Sequence, residues 1–395
     1  MKKITGLTLG LATFGVFSHV AHAQSQVTLY GILDEGIMYQ SSAGGKTGGK
    51  KFFLDSTSGI SGSRWGMTGS EDLGGGLNAI FTLEGGLNLN SGAAAQGNTM
   101  FGRQIFVGLN DKRLGSLTFG RQYDMMFYFG QPLTSAGIQG GSALFLHPGD
   151  LDNTGNTVRV NNAIRYMSPD YSGLTFGGEY SVGGVAGNTT ANSGYSLGVA
   201  YAHGPFVLGG AFEYFKTPTA ATAVAGFFTD NANGATALSQ TLNRGYASAS
   251  AYQTAIVGGR YAIGPVTLSA SYSNTQYANL GNAFQTKTAR FDNVDFAVKY
   301  LYGPTLALSV AYDYLKGHEV TAADGSARGN QHYNQVSVMA DYLLSKATDV
   351  YLGGTWQRAS GTSSTGEAAV ADVANLGDSA SNHVILVRAA LRHRF

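Results

Sequence analysis

The chain ends in HVILVRAALRHRF, residues 383–395, which has the pattern of one β-strand with two unlike faces. Successive side chains of a strand point to opposite faces. One face is therefore apolar and the other cationic: Ile385, Val387, Ala389, Leu391 and Phe395 against Arg388, Arg392 and Arg394. Burying several guanidinium groups without partners in a protein core would cost several kcal/mol each.

Both faces of this segment are in a favourable environment if the apolar face contacts lipid and the cationic face contacts water. A strand in hydrocarbon must also pair every backbone N–H and C=O, so its sheet must close into a barrel. From this segment alone, the edge strand of a soluble sandwich remains an alternative. The segment favours the closing strand of a transmembrane β-barrel.

The composition fits that interpretation. The 395 residues include 57 Gly and no Cys, and only 12% are charged while 11% are aromatic. This balance suits neither a disordered chain nor a typical cytosolic enzyme. The mean hydropathy of −0.04 is expected where apolar and polar faces alternate. A net charge of +1 does not indicate a nucleic-acid partner.

The N-terminus has the features of a secretory leader. Lys2 and Lys3 precede a mostly apolar stretch, and Ala21-His22-Ala23 forms a cleavage site. We therefore predict a cleaved signal peptide over residues 1–23 and one barrel domain over 24–395. Loss of two of the 25 basic residues would leave 23 against 24 acidic ones. No later stretch contains 18 apolar residues in a row, which argues against a membrane-spanning helix.

Alternation of apolar and polar residues recurs along the chain. The clearest segment opposes Leu77, Ala79, Phe81, Leu83, Leu87 and Leu89 to Asn78, Thr82, Glu84, Asn88 and Asn90. Such segments run for about 9–12 residues, which is the length that a tilted strand needs to cross hydrocarbon. Tyr and Phe tend to lie near their ends, as in an interfacial aromatic girdle.

The connections alternate between short and long. Short turns fall at Asp72–Gly76, Asp111–Gly115, Pro169–Gly173, His203–Pro205, Gly264–Pro265, Gly303–Pro304 and Ser345–Asp349. Long connections fall at about 41–59, 90–101, 124–157, 183–193, 216–245, 278–289, 316–331 and 359–382. These predict about sixteen strands, with short turns at one end and long external loops at the other. Sixteen strands enclose an aqueous channel, and a soluble sandwich has no reason to sort its loops in this way.

Short motifs add a family resemblance. They are VTLYG at 27–31, SRWG at 63–66, GSEDLGGGL at 69–77, FGRQ at 101–104, GRQYD at 120–124, RVNN at 159–162 and the terminal Phe395. In this order they closely resemble the general trimeric porins of Gram-negative bacteria, in particular the betaproteobacterial branch. The resemblance covers the whole mature chain, is densest over residues 26–182, and is weak in the external loops.

The resemblance implies a homotrimer in which each sixteen-stranded barrel has its own pore. It implies that the third long loop, residues 124–157, folds into the lumen and narrows it. Phe395 looks like the family's signal to the barrel-insertion machinery, which would act through the C-terminal strand. Outer-membrane lipid and lipopolysaccharide, together with small ions and solutes, are the other expected partners.

Candidate site residues follow from parity and from the family pattern. Strand parity points Arg64, Arg103 and Arg159 inward, with Glu84 and Asp34 nearby. In the family, arginines at these motif positions form a positive row at the constriction, opposite acidic groups of the inserted loop. Asp150 and Asp152, and less securely Asp124, are the matching carboxylates. The alternative is that these arginines form salt bridges on a wide polar wall.

Other charges are assigned by parity alone. Arg388 and Arg392 face the lumen as secondary charges. Arg121 and Glu35 have the lipid-facing parity, and an arginine facing lipid costs about 2–4 kcal/mol at the bilayer midplane. We therefore expect Arg121 and Glu35 at a subunit interface.

The combined interpretation is a general diffusion porin for ions and small hydrophilic solutes. Opposed rows of charge in a narrow aqueous gap would sort solutes weakly by charge and size. We expect a weak preference for anions. The alternatives are a substrate-selective outer-membrane channel and an outer-membrane barrel enzyme, for which no catalytic clustering is visible. The eight His show no metal-ligand spacing, and no cofactor motif is present.

Overall fold

The computed structural model describes residues 26–44, 48–218, 238 and 240–395. The predicted signal peptide, residues 1–23, lies outside this part of the chain. Sixteen long strands of the described residues, β1 to β16, form one antiparallel sheet. In chain order they are Gln26–Gln40, Arg64–Gly74, Leu77–Gly86, Gln104–Asp111, Gly115–Gln122, Val160–Met167, Leu174–Ser181, Gly194–His203, Phe206–Lys216, Ala251–Ile263, Val266–Ala278, Thr288–Tyr302, Leu306–Gly317, His332–Leu343, Thr348–Ser360 and His383–Arg394.

Each strand pairs with its neighbours in the sequence, and the first pairs with the last. On β1, Leu29 lies opposite Met67 of β2, and Gly36 lies opposite Ala390 of β16. The pairing closes the sheet into a barrel, so the predicted transmembrane β-barrel of about sixteen strands is confirmed. The short strand Lys51–Asp55 continues the barrel edge beside the outer half of β1.

The two faces of the barrel differ as the alternation predicts. On β16, Val387 and Leu391 are 41% and 48% exposed on the outer face, whereas Arg388 and Arg392 point inward and are buried. On β11, Leu268 is exposed on the outer face and Ser269 is buried on the inner face. Among the residues that the structure describes, no helix has the length and hydropathy needed to cross a membrane.

Some strands are slightly shorter than the alternation suggests. We predicted that the third strand would include Leu87 and Leu89, but β3 ends at Gly86, and Leu87 makes only an isolated bridge to Ala94. Arg103 and Arg159 likewise lie one residue before β4 and β6. Short helices and two small hairpins occupy the long loops: Ala95–Asn98, Arg244–Tyr246 and Gly281–Ala283, with Val320–Thr321, Ala327–Arg328, Asp372–Val373 and Gly377–Asp378.

The third long loop folds into the lumen, as predicted. It contains the helical turns Met126–Gly130, Gln131–Leu133, Ser135–Ile138, Ala143–Phe145 and Pro148–Asp150. Its backbone bonds to inward side chains of the far wall: Ser337 and Thr355 donate to the Leu144 carbonyl, at 2.5 and 2.8 Å. Gln335 donates to the Leu146 carbonyl at 2.9 Å. These bonds fix the loop across the barrel from β5 to β15.

The C-terminal residue is fixed on β1. The Gly31 and Phe395 backbones exchange two hydrogen bonds, of 3.0 and 3.1 Å. The Phe395 ring occupies the space above Gly31 where any other residue would place its Cβ. Gly31 therefore leaves room for the terminal aromatic ring at the seam between β1 and β16.

We expect Gly31→Ala to destabilise the barrel. The added methyl group would overlap the Phe395 ring and lie 2.9 Å from the Arg64 carbonyl oxygen. Overpacking of this kind costs about 1–3 kcal/mol. The free energy of unfolding by urea, measured for protein folded in lipid vesicles, checks this.

The matched control is Gly354→Ala, because a Cβ there meets only the Leu386 carbonyl oxygen, at 3.1 Å. Equal unfolding free energies for the two variants would contradict the proposed packing of the Phe395 ring against Gly31.

Candidate pore constriction

The first external loop also enters the lumen. Its inner part, residues 56–63, leaves the wall after Asp55 and turns inward before Arg64. The Ser61 N–H donates to the Asp34 carboxylate at 3.1 Å, and the Ile60 N–H donates to the Tyr351 hydroxyl at 3.2 Å. The Ala143 N–H of the third loop donates to the Gly59 carbonyl at 3.3 Å. Two loops, rather than one, therefore meet inside the barrel.

Three of the predicted arginines line one cavity. Arg64, Arg103 and Arg159 surround a space of about 210 Å³ between the first loop and the third loop. The Arg64 Nε donates to the Gly62 carbonyl at 2.9 Å, which holds this guanidinium against the first loop. We call this space the arginine cavity. Among the described residues that line it, none is Asp or Glu.

Glu84 and Tyr123 order two of these arginines from behind. Glu84 is 4% exposed and accepts from Arg103 Nε at 2.8 Å and from the Tyr123 hydroxyl at 2.7 Å. The Arg103 and Arg159 guanidinium carbons lie 5.7 and 5.9 Å from the centre of the Tyr123 ring. Such cation–π contacts favour the charged groups. Glu84 offsets part of the charge of Arg103, so the cavity keeps a net positive lining.

The loop carboxylates are turned away from the arginine cavity. Asp150 accepts from the Gly155 N–H at 2.7 Å and from the Thr157 hydroxyl at 2.6 Å. Gly155 and Thr157 line the cavity, so Asp150 lies one layer behind its surface. Burial, and secondly the neighbouring Asp152, raises the pKa of Asp150 to about 7. A carboxyl group that is partly protonated at neutral pH contributes less opposing charge. Asp124 accepts from Asn153 and the Phe127 N–H within the same loop.

Asp152 binds His147 at the far side of the loop. The His147 Nδ1 lies 2.6 Å from the Asp152 carboxylate, and its Nε2 lies 3.4 and 3.7 Å from Asp295 and Asp313 of β12 and β13. Burial disfavours the charged imidazole, but Asp152 and Asp313 outweigh it and hold the pKa of His147 well above its usual value. Burial also opposes ionisation of Asp152, yet the His147 charge lowers the pKa of that carboxyl. The contacts of His147 with Asp295 and Asp313, and the hydrogen bond of 2.5 Å that the Ser273 hydroxyl of β11 donates to Asp152, fasten the third loop to the wall.

Asp34, Arg388 and Arg392 form a separate network beneath the first loop. Arg388 donates to Asp34 at 3.0 Å, to the Tyr351 hydroxyl at 2.9 Å and also to Asp55. Arg392 binds Asp349 through Nε and Nη2, and its Nη1 donates to the Ser61 hydroxyl at 3.1 Å. These charges are paired and hold the first loop in position. They do not line the arginine cavity.

The two interface candidates differ in their surroundings. Arg121 is 8% exposed, and it donates to the Gly102 carbonyl at 2.8 Å and to Asn161 at 2.5 Å. Its own chain therefore already supplies polar partners. Glu35 lies on the outer face opposite Leu391, and its carboxylate accepts from the Gly36 N–H at 3.2 Å. The interface role of both residues stays a prediction.

The alternation along the strands predicted that these arginines face the lumen, but it did not predict the residues that hold them in place. The first loop was predicted only as a long connection, although the run DSTSGISGS at 55–63 places a single isoleucine among small polar residues. Tyr123 was visible only as part of a family motif. Within the described part of the chain, no group of three His, Cys, Asp or Glu side chains has the arrangement of a metal site.

A closed barrel with an apolar outer face and a charged, loop-narrowed lumen defines the β-barrel class of transmembrane proteins. The family model described as "Gram-negative porin" matches residues 8–362 of this chain. The chain therefore belongs to the Gram-negative porin family, which confirms the resemblance found in its motifs. It is a multi-pass protein of the bacterial outer membrane.

Sequence and structure comparisons with individual proteins support this assignment. The chain is 39% identical over 192 residues to an outer membrane porin protein of Bordetella pertussis, a betaproteobacterium. That match covers 46% of this chain and 48% of the relative, so it spans about half the length of that protein. The structure titled "Anion-selective porin from Comamonas acidovorans" is 20% identical with a TM-score of 0.69, covering 94% and 100% of the two chains. The trimer form of OmpT from Vibrio cholerae is 16% identical with a TM-score of 0.56, covering 94% and 99%.

We expect His147→Gln to release the third loop from β12 and β13. The variant leaves Asp152, Asp295 and Asp313 facing one another without a cation, and breaking a buried ion pair in this way costs about 3–5 kcal/mol. The stabilisation from His147 is full below the unfolded pKa of about 6.5 and is lost as the pH rises through its raised folded pKa. Asp152 loses its contribution as the pH falls through its lowered folded pKa.

Hydrogen exchange of the amides at 135–152 measures this release. Exchange should accelerate in His147→Gln and, in the wild type, at high pH once the intrinsic exchange rate is corrected. His203→Gln is the control, because His203 is exposed at the end of β8. Equal protection in all three proteins would show that His147 does not anchor the loop.

Proposed function

We propose that the protein is a general diffusion porin that passes ions and small hydrophilic solutes across the outer membrane. The observation that carries this proposal is the arginine cavity, a polar space inside a barrel whose outer face is apolar. Membership of the porin family supports the same function. The charged residues act by the potential that they create in a narrow aqueous gap, rather than by tight binding.

A weak anion preference follows from the charges at this cavity. Three guanidinium groups line it, whereas Glu84 lies behind Arg103, and Asp150 lies behind Thr157 with a raised pKa. Close walls of low dielectric strengthen the effect of these charges on a passing ion. The structural similarity to a porin whose title calls it anion-selective is consistent with this preference.

The proposed assembly is a homotrimer in outer-membrane lipid and lipopolysaccharide. The trimer form of OmpT, which has the same fold, supports this assembly. The outward position of Glu35 beside the exposed Ile37 also supports it, because a carboxylate on the lipid-facing surface gains from a protein neighbour. Assembly through the barrel-insertion machinery, with Phe395 as the signal, belongs to the same proposal.

The reversal potential of the purified protein in a planar bilayer under a salt gradient tests the proposed function. We expect a sign that corresponds to anions, and a preference that falls as salt screens the charges. Arg103→Ala should lower the ratio of anion to cation permeability by roughly two- to three-fold, because it removes one guanidinium and uncovers Glu84. Glu84→Gln should raise the ratio.

Arg113→Ala is the matched control, because this arginine is 80% exposed in the short turn between β4 and β5. A reversal potential that indicates cations would refute the anion preference. A shift as large in Arg113→Ala as in Arg103→Ala would remove Arg103 from the selectivity site. The absence of any conductance would refute the channel function itself.

A further inference from the structure

A second cavity with a charged lining lies nearer the short-turn end of the lumen. It has a volume of about 290 Å³ and lies beside the Pro304–Thr305 turn. Its charged lining consists of Lys299, Arg392 and Arg394 together with Asp341. We call it the turn-side cavity. The arginine cavity lies on the other side of the loops, because Arg64 begins a strand at the long-loop end, and Arg103 and Arg159 each lie one residue before such a strand.

The two cavities meet at two residues. Ile60 of the first loop and Gly140 of the third loop line both spaces. Ile60 is 2% exposed, and its Cγ2 would lie 3.1 Å from a Cβ built on Gly140. Gly140 has a φ of 78° and carries no side chain, so the isoleucine rests directly on its backbone. An apolar contact therefore separates the two spaces, each of which has a charged lining.

A constriction of this kind has a known physical effect. Apolar side chains that close a narrow pore expel water, and an ion cannot pass until the gap is wide enough to hydrate it. The three arginines of the arginine cavity would attract an anion, whereas Arg392 and Arg394 of the turn-side cavity bind Asp349. The apolar contact would then be the highest barrier on the path between the two cavities.

We propose that Ile60, seated on Gly140, is a size- and hydration-determining residue of the pore. This proposal rests on the proposed channel function, and it assigns the narrowest point to the first loop as well as the third. The side chain of Ile60 limits the width of the path, while the arginines act on the charge of what arrives there.

The backbone around Ile60 is held independently of its side chain. The Ile60 and Ser61 N–H groups donate to Tyr351 and Asp34, and Arg392 donates to the Ser61 hydroxyl. Gly59 lies so close to the Asp34 carboxylate that a Cβ there would overlap it. Shortening the Ile60 side chain should therefore widen the gap without moving the loop.

Single-channel conductance of the full-length protein in a planar bilayer, in potassium chloride, tests this role. We expect Ile60→Ala to raise the conductance about two-fold and to admit larger organic anions, since it widens and hydrates the gap. Ile60→Val should give a smaller rise, and Ile60→Phe should lower the conductance below that of the wild type. The graded series separates a width effect from general damage to the fold.

Ile138→Ala is the matched control. Ile138 belongs to the same buried apolar cluster as Ile60, but it lines neither cavity. The proposal is overturned if the wild type conducts and the Ile60 variants match it, or if Ile138→Ala gives the same rise as Ile60→Ala. A wild type that forms no channels would refute the channel function, which is a different outcome.

Discussion

Every backbone N–H and C=O of a strand in hydrocarbon must find a partner, and the rest of this structure depends on that constraint. An open sheet leaves two unpaired edges, so β16 returns to β1, and the Gly31 and Phe395 backbones complete the seam. Closure in turn separates the side chains into a lipid-facing and a lumen-facing set. The alternation along β16 is the consequence of that separation.

The lumen then has to accommodate the charges that closure directs inward. Some of them are neutralised in pairs on the wall, such as Arg388 with Asp34 and Arg392 with Asp349. The inserted loops cover other parts of the wall with apolar contacts, which explains why Val384 and Leu386 point inward on β16 and are buried. In the arginine cavity, by contrast, three guanidinium groups line an open space that no described Asp or Glu lines. The lumen is therefore divided into a wall of paired or covered charges and an open space with exposed charges.

The sequence predicted the parts of this arrangement that depend on local periodicity. Alternation and loop lengths gave the strand number and the barrel, and parity directed Arg64, Arg103 and Arg159 towards one space. The sequence could not predict the partners of Asp150 and Asp152, because these depend on how the third loop folds upon itself and on the far wall. The inward turn at Ile60 was invisible for the same reason. Its backbone bond runs to Tyr351, which is 291 positions away in the chain, and no local pattern encodes a contact of that separation.

The alternation of environment along one strand tests the central claim most directly. The chain has no cysteine, so single cysteines at positions 267 to 272 of β11 can each carry a fluorescent label in protein folded into vesicles. Quenching by brominated lipid should be strong at 268, 270 and 272 and weak at 267, 269 and 271. Equal quenching at all six positions would show that the strand does not separate lipid from an aqueous lumen, and the account would be wrong.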